Sequence, residues 1–134
     1  MKSDKEAIDE IAGAFFGAFA NGSGTPESID VLYDIFIPEA IVVKNVGGTT
    51  EVLSVSGFVE PRRAILSDGS LQDFREYEVC EKTDIFANIG QRFSRYEKSW
   101  SASGRSFSGS GVKSLQFVRT SRGWKISGLV WDDA

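Results

Sequence analysis

Four long strand-like stretches fill the second half of this chain, and they constrain its fold more than any other feature. They span about residues 74–86, 87–101, 106–120 and 123–132, and β-branched and aromatic side chains recur in each of them. The last two flank a Ser-Arg-Gly turn at 121–123. Strands that follow one another through such short turns pair antiparallel. The sequence therefore predicts an antiparallel meander.

The last hairpin, residues 112–132, predicts which side chains face the core. With Ser121 and Arg122 as a two-residue turn, Leu115 pairs with Gly128, and paired residues share a face of the sheet. One face, which we expect to be buried, carries Leu115, Phe117, Trp124 and Ile126. The opposite face carries Gln116, Val118, Lys125, Ser127, Leu129 and Trp131. This second face is too apolar for water, so we expect it to pair with a second copy in a homodimer.

Apolar residues recur with helical spacing in the first third of the chain. The first helix begins at Ser3, which forms a capping box with Glu6, and it ends at Asn21-Gly22. Its apolar stripe consists of Ile8, Ile11, Ala12, Phe15 and Phe19. A second helix begins at Thr25-Pro26 and ends at Pro38. Its stripe consists of Ile29, Leu32, Tyr33 and Phe36.

The middle of the chain changes to β-branched residues. The segments "AIVVKNV" (40–46) and "EVLSVSG" (51–57) predict a strand hairpin, and "EPRRAILS" (60–67) predicts a short third helix with Pro61 in its first turn. This order is typical of an α+β fold, in which helices pack on one face of an antiparallel sheet. No repeat, low-complexity tract or linker interrupts it. Residues 1–134 are therefore expected to form one domain.

Charge and cysteine content exclude several classes of protein. Fifteen basic and nineteen acidic residues give a net charge of −4, which disfavours nucleic acid as a partner. The single cysteine, Cys80, cannot form an intrachain disulfide, and without histidine we expect no metal and no cofactor. The N-terminal "MKSDKEAIDEIAGAFFGAFANG" interrupts its apolar residues with charges, unlike a membrane span or a signal peptide. We therefore expect a cytoplasmic protein with no membrane partner, and Cys80 as a small buried side chain.

Several segments together resemble the NTF2-like superfamily. They are "FIPEA" (36–40), "FVEPRRAIL" (58–66), "FSRYEKSW" (93–100) and "GVKSLQFVRTSRGWKISGLVWDD" (111–133). This superfamily includes SnoaL-like polyketide cyclases, ketosteroid isomerases and many small bacterial proteins of unknown role. The resemblance implies a cone in which a curved, mostly antiparallel sheet carries about three helices on its concave face. It also implies a homodimer formed through the outer face of the sheet.

The catalytic groups that the resemblance implies are not matched in this sequence. The general base of the isomerase-like members falls at or next to Lys44-Asn45, and neither residue is a carboxylate. Phe15 and Phe16 stand where those members have a tyrosine, and the dehydratase-like members depend on histidine. We therefore favour a protein that binds a small apolar molecule in the cone. A SnoaL-like or isomerase-like enzyme acting on a small lipophilic substrate, and an interaction module with a filled cavity, remain as alternatives.

The predicted ligand pocket lies between the second helix and the middle of the sheet, and it is formed by Tyr33, Tyr96, Trp100 and Asp132. Each of these residues also has a simpler interpretation. Tyr33 fits a core aromatic residue, and Tyr96 and Trp100 fit packing over the glycines of "SGSG" (108–111). Asp132 fits a solvated charge near the C-terminus, and it points into the core only if the last strand has no bulge.

Two further pairs of charged residues have both a functional and a simpler interpretation. Arg62 and Arg63 could bind an anion at a helix start, although a solvated helix face explains them as well. Glu76 and Glu78 share one strand face and could act as paired carboxylates. Ordinary polar alternation along a strand explains them better.

Overall fold

The computed structural model describes all 134 residues of the chain. Its three helices are α1 (Asp4–Gly17), α2 (Val31–Ile35) and α3 (Val55–Ile65). Its six strands are β1 (Phe36–Lys44), β2 (Glu51–Leu53), β3 (Gln72–Phe86), β4 (Ile89–Ala102), β5 (Arg105–Thr120) and β6 (Gly123–Asp132). A 3₁₀ turn, Val46–Gly48, lies between β1 and β2.

All six strands form one sheet in the order β2-β1-β6-β5-β4-β3. Neighbouring strands are antiparallel except β1 and β6, which run parallel. The three helices cover one face, here called the inner face, and their apolar side chains form one continuous core with it. The opposite side of the sheet is called the outer face. The predicted meander and the α+β arrangement of helices on a curved, mostly antiparallel sheet are confirmed.

The first helix begins as predicted. The backbone N–H of Glu6 donates to Ser3 Oγ at 3.1 Å, and the Ser3 N–H donates back to the Glu6 carboxylate at 3.1 Å. This capping box fixes the helix start because it satisfies donors that have no partner within the helix. Ile8, Ala12 and Phe15 are fully buried on the stripe that was predicted. No helix of the chain is long and apolar enough to cross a lipid bilayer.

The second helix is shorter than predicted. Residues 27–30 form turns, α2 covers only Val31–Ile35, and Phe36 already belongs to β1. Pro38 does not end the helix but lies within β1. The strand tolerates this proline because the β1–β6 pairing is irregular between Phe36 and Ile41, so no ladder hydrogen bond is required there.

The third helix begins earlier than predicted. Ser54 Oγ accepts a hydrogen bond from the Gly57 N–H at 3.0 Å and caps α3, so the preceding strand shrinks to Glu51–Leu53. Pro61 therefore lies in the interior of the helix rather than in its first turn. The serine cap outweighs the strand propensity of Val55, whose side chain is buried in the core.

The β5–β6 hairpin contains a bulge that the sequence did not indicate. Phe117 pairs with Ile126 as predicted, but Leu115 pairs with Leu129 rather than Gly128, because Ser127 has no partner across the ladder. Up to the bulge the predicted faces are confirmed, since Leu115, Phe117, Trp124 and Ile126 are all buried.

The bulge reverses every side chain that follows it on β6. Leu129 and Trp131 were predicted on the outer face, and both are instead buried in the core. Asp132, which was predicted to point inward, lies on the outer face and is exposed. Its Oδ1 accepts a hydrogen bond from the Gly47 N–H at 3.2 Å.

Two positions in the long strands show how their faces are arranged. Tyr96 on β4 packs directly over Gly111 on β5, where an added Cβ would lie 2.8 Å from the tyrosine Cζ. Packing over a glycine, one of the two interpretations of Tyr96, therefore applies. On β3, the pairing is irregular between Glu78 and Cys80, and Cys80 is exposed on the outer face. The expectation that Cys80 is buried was wrong because this second bulge turns it outward.

Candidate functional site: a cavity under the third helix

A cavity of about 330 Å³ opens between α3 and the inner face of the sheet. Its apolar wall consists of Phe19, Phe58, Pro61, Ile65, Leu66, Leu71, Phe74 and Trp131. Its charged lining consists of Lys44, Arg62, Lys98, Lys113, Glu76 and Asp133. The predicted pocket lay under the second helix, whereas this cavity lies under the third. The difference arises because α2 is a short helix, so α3 and the segment after it cover this part of the sheet.

The segment between α3 and β3, which closes one side of the cavity, is held by Asn21. The buried Asn21 side chain donates hydrogen bonds to the backbone oxygens of Leu66 and Leu71, at 2.9 and 2.6 Å. Its own oxygen accepts from the Phe74 N–H at 2.7 Å. The sequence suggested Asn21 only as the end of a helix. In the structure it fixes the position of three residues of the cavity wall.

Lys113 on β5 brings an ammonium group into the interior. Its side chain is only 6% exposed, and its Nζ lies 4.0 Å from the ring centre of Tyr96 and 4.8 Å from that of Trp131. Aromatic faces attract a cation, but they provide no hydrogen-bond acceptor. Burial lowers the pKa of Lys113 below its ordinary value, although the charge of Glu76 opposes this effect.

Glu76 on β3 is the ionic partner of Lys113. Its side chain is 8% exposed, and its Oε1 lies 3.3 Å from Lys113 Nζ. The contact is an ion pair without hydrogen-bond geometry, so Glu76 Oε1 is a buried acceptor with no donor. A buried carboxylate oxygen in this state is rare, because an unsatisfied buried polar group costs about 1–3 kcal/mol.

A second ion pair closes the C-terminal side of the cavity. Lys98 Nζ lies 3.1 Å from Asp133 Oδ2, and the Tyr96 hydroxyl donates to Asp133 Oδ1. Burial alone raises the pKa of Asp133, but the hydrogen bonds from Tyr96 and Lys98 outweigh it and hold that pKa below its ordinary value. Burial and the neighbouring carboxylate together raise the pKa of Tyr96. Asp133, and not the predicted Asp132, is therefore the acidic residue near the C-terminus that lines this cavity.

Two further cations line the cavity without an ionic partner. Arg62 on α3 donates to the Phe58 carbonyl at 3.0 Å, and its guanidinium lies 4.3 Å from the ring centre of Phe58 and 5.3 Å from that of Trp131. Burial lowers the pKa of Arg62. Lys44 on β1 is likewise in no ion pair. The cavity therefore contains more positive than negative charge, in a chain whose net charge is −4.

Arg92 on β4 forms a separate buried cluster outside the cavity. Its guanidinium donates two hydrogen bonds to Glu78, at 2.6 and 3.0 Å, and one to Asp9 of α1 at 2.7 Å. It donates another to Thr83 Oγ at 3.1 Å, and Lys5 completes the cluster through Asp9 and Glu81. This network ties the first helix to the sheet and pairs every nitrogen of the Arg92 guanidinium, so that none of them is free to recognise a ligand.

The structure brings together only some of the predicted pocket residues. Tyr96 lies behind the cavity and supports it through Asp133. Trp100 stacks on Phe107 with ring centres 5.7 Å apart, near the end of β4, and does not line the cavity. Tyr33 is 42% exposed on α2 and bonds to Glu60, so it does not contact the cavity. Asp132 faces away from the cavity, as described above.

The sequence interpretation missed Lys113, and it named Glu76 and Arg62 as candidates but favoured a simpler interpretation of each. Strict alternation on β5 places Lys113 on the same face as Leu115 and Phe117, and this signal could have identified it as buried. Glu76 and Glu78 share one strand face as predicted, but this is the inner face, where each pairs with a buried cation, so ordinary polar alternation does not explain them. For the two arginines of α3, the interpretation as a solvated helix face holds for Arg63 but not for Arg62. Arg63 pairs with Asp30 and Glu60 at the surface, whereas Arg62 turns into the cavity.

The arrangement can hold a small molecule that is mainly apolar and carries negative charge. Arg62 and Lys44 can each donate hydrogen bonds to an anion, and the aromatic wall can contact a flat ring. No group of three or more carboxylate or thiol side chains lies close enough together to coordinate a metal ion.

Solved structures of known proteins share this fold. An NTF2-like superfamily protein from Salmonella enterica superposes with a TM-score of 0.77 at 12% identity, over 97% of this chain and 90% of that one. An NTF2-like protein with a cystatin-like fold from Novosphingobium aromaticivorans gives 0.73 at 15% identity, over 97% and 81% of the two chains. An uncharacterised protein with a cystatin-like fold from Caulobacter vibrioides gives 0.72 at 18%, over 98% and 89%.

These similarities show the NTF2-like, cystatin-like fold and confirm that part of the resemblance. No protein-family model and no curated protein matches the sequence. At such low identity the shared fold carries no information about the ligand or the reaction, because this fold supports many functions.

Proposed function

We propose that this NTF2-like chain binds a small, flat, mainly apolar carboxylate in the cavity under α3. The main support for the proposal is a cavity of about 330 Å³ that combines an apolar wall with two cations that have no ionic partner, Arg62 and Lys44. Small-molecule sites commonly have this composition, with apolar walls and a few polar groups that fix the orientation of the ligand.

The charge distribution favours an anion over a neutral ligand. Arg62 is half-buried between the rings of Phe58 and Trp131, and its only hydrogen bond goes to a backbone oxygen. A carboxylate next to the guanidinium would form charge-assisted hydrogen bonds in a partly desolvated site. The apolar part of the ligand would then contact Phe74 and the other side chains of the wall.

The alternatives receive less support. An open cavity disfavours an interaction module whose interior is filled by aromatic side chains. An isomerase of the expected type requires a carboxylate base near position 44, and the residue lining the cavity there is Lys44. A cytoplasmic location is also part of the proposal, because an exposed free thiol, Cys80, is suited to a reducing compartment.

The binding proposal is tested by calorimetric titration with 2-naphthoate, with the neutral 2-naphthamide as the uncharged comparison. We expect 2-naphthoate to bind more tightly than the amide, and Arg62→Met to weaken it about tenfold or more, as expected for a lost hydrogen bond to a charged group. Arg63→Met is the matched control, because Arg63 lies in the same helical turn but pairs with Asp30 at the surface. Equal affinity of the parent and of Arg62→Met for 2-naphthoate would contradict the proposal.

A homodimer through the outer face is the second part of the proposal, with a different set of residues from the one expected. One row of outward side chains crosses five strands, formed by Val52, Val43, Val130, Ser114 and Phe93. Phe93 is 60% and Val52 64% exposed, so the row presents apolar surface to water. The occupant is a second copy, because a two-fold axis near Ser114 sets Phe93 of each copy against the valines of the other.

Light scattering after size exclusion tests the dimer. We expect the mass of two chains for the parent and of one chain for Phe93→Glu, because a charge at the Phe93 end of the row would face the valines of the second copy without a counter-charge. Tyr33→Ser is the control, since Tyr33 is equally a surface aromatic residue but lies on the helical side. A monomeric parent at micromolar concentration would exclude the dimer.

A further inference from the structure

We propose that Lys113 is a nucleophile that forms an imine with the carbonyl carbon of an aromatic oxo acid bound in the cavity. This inference rests on the proposed function, because the ligand must first enter the same cavity. It goes beyond that function by assigning a covalent step to a residue pair, Lys113 and Glu76, that binding of a carboxylate does not require.

The surroundings of Lys113 differ from those of a structural lysine. Its Nζ donates no hydrogen bond to the protein, and its one ionic contact is Glu76 Oε1 at 3.3 Å. The side chain lines the cavity, so the nitrogen is accessible from the ligand space although the lysine is buried. The nitrogen that would attack a carbonyl group therefore already lies next to the ligand space, with Glu76 as its one ionic contact.

The effect of burial on protonation supports the same role. Desolvation lowers the pKa of Lys113, so a larger fraction of the side chain is the free amine near neutral pH than for a surface lysine. The free amine is the form that attacks a carbonyl carbon, and lysines that form imines in enzymes are commonly activated by such burial.

Glu76 is placed to move the protons. In the first step the Lys113 ammonium transfers a proton to Glu76, the Nζ lone pair forms a bond to the carbonyl carbon, and the carbonyl oxygen takes the proton from Glu76. In the second step Glu76 takes another proton from the nitrogen and returns it to the hydroxyl group, which leaves as water while the C–N double bond forms. The ammonium and the carbonyl compound thus become an iminium cation and one water molecule, and Glu76 ends as a carboxylate.

The product suits the cavity better than the free amine does. An iminium is a cation, and its nitrogen would lie between the rings of Tyr96 and Trp131 while keeping its pairing with Glu76. Arg62 contacts the same Trp131 ring, with its guanidinium 5.3 Å from the ring centre. A ligand with a carbonyl group at one end and a carboxylate at the other can therefore reach both cations across one aromatic ring.

The test is reductive trapping of the full chain with 4-formylbenzoate and sodium cyanoborohydride, followed by intact-mass measurement and peptide mapping. We expect one adduct per chain on Lys113, and competition by 4-methylbenzoate, which carries the same single carboxylate on the ring but no aldehyde. Lys113→Arg should abolish this adduct, and Glu76→Gln should slow its formation by about a hundredfold, as is typical of a lost acid-base group. Lys82→Arg, which removes a surface lysine of the outer face, should leave it unchanged.

The outcomes separate the two proposals. Labelling spread over surface lysines without excess at Lys113 overturns the imine, and if 2-naphthoate still binds, the binding function stands. Absence of both the adduct and 2-naphthoate binding overturns both. The mapping is made on the parent protein, so the result does not depend on whether the Lys113 variant folds.

Discussion

Arg92 and Lys113 are both buried cations on neighbouring strands of the inner face, but they differ in how many of their hydrogen-bonding groups have a partner. Arg92 is 3% exposed and has a carboxylate or hydroxyl partner for each of its nitrogens, with Glu78 and Asp9 accepting at 2.6 to 3.0 Å. Lys113 is 6% exposed, has one ion pair at 3.3 Å and otherwise lies against the rings of Tyr96, Trp131 and Phe15. Every nitrogen of Arg92 is hydrogen-bonded, whereas Lys113 Nζ and Glu76 Oε1 can still form hydrogen bonds with a ligand.

The difference distinguishes a buried charge that stabilises the fold from one that remains available to bind a ligand. The Arg92 cluster joins α1 to β3 and β4, and the pairing with Glu78 and Asp9 keeps the pKa of Arg92 above its ordinary value although burial alone would lower it. At Lys113 desolvation prevails, and the pKa is lowered. A fully paired buried charge resists change, while a partly paired one responds to a ligand.

The largest expected effect comes from removing the paired cation. Arg92→Met should lower the free energy of unfolding by about 3 kcal/mol, at the lower end of the usual range for breaking a buried pair because Asp9 and Glu81 keep some contact with water. Urea denaturation measures it. Arg122→Met, an arginine exposed in the β5–β6 turn, is the control. A loss for Arg92→Met no larger than that of the control would remove the basis of the comparison.

Removing both members of the other pair should cost far less. The double variant Lys113→Met and Glu76→Leu should stay within about 1 kcal/mol of the parent or be more stable, because apolar residues can replace a buried ion pair without loss. Lys113→Met alone should be less stable than the double variant, since it leaves Glu76 buried without a counter-charge. If the double variant were as destabilised as Arg92→Met, Lys113 would be a structural residue and not part of a binding site.

Single residues show which parts of the two clusters the sequence predicts. Alternation and the Ser-Arg-Gly turn correctly place Leu115, Phe117 and Trp124 in the core. The same alternation fails after Ser127, because one unpaired residue reverses the strand and no local pattern announces it. For this reason Trp131, which lies against Lys113, was predicted on the wrong face.

The cavity could not be located from the sequence for a related reason. Its position depends on where α3 begins and on how Asn21 holds the segment after it, and both are tertiary contacts. The burial of Lys113 and Glu76 was in part predictable. Lys113 and Glu76 follow the alternation of their strands, but solvation is the ordinary expectation for both residue types, and only the partners across the fold show otherwise.

Changing the pH should separate the two clusters, because their stability contributions change in different pH ranges, near 10.5 for Lys113 and below 3.8 for Asp9. The folded pKa of Lys113 lies below the ordinary 10.5, so the unfolded chain binds more protons than the native one between those two values, and stability rises with pH there. Burial raises the pKa of Asp9, but Lys5 and Arg92 outweigh this and hold it below the ordinary 3.8. The stability that Asp9 contributes is present above 3.8 and is lost as the pH falls through the lowered folded value.

The pH effect is measured as a difference between the parent and Lys113→Met, so that other titrating groups cancel. Relative to this variant, the parent should become more stable as the pH rises towards 10.5. The acid limb is examined with Asp9→Asn, which should reduce the loss of stability below pH 3.8. A stability difference for Lys113→Met that does not change with pH would mean that its pKa is the same in the folded and unfolded chain.

The smallest effect on stability is expected at Arg63, whose ion pairs lie at the surface and not in the interior. Arg63 pairs with Asp30 at 2.5 Å and Glu60 at 2.9 Å, distances as short as those around Arg92, but its carboxylate partners are 78% and 51% exposed. Water replaces these contacts when they are lost, and salt screens them. Arg63→Met should therefore change Tm by no more than about 2 °C, measured by differential scanning calorimetry, with a smaller change at high salt. A shift as large as that of Arg92→Met would show that the number and length of ion pairs, rather than their burial, determine what each arginine contributes.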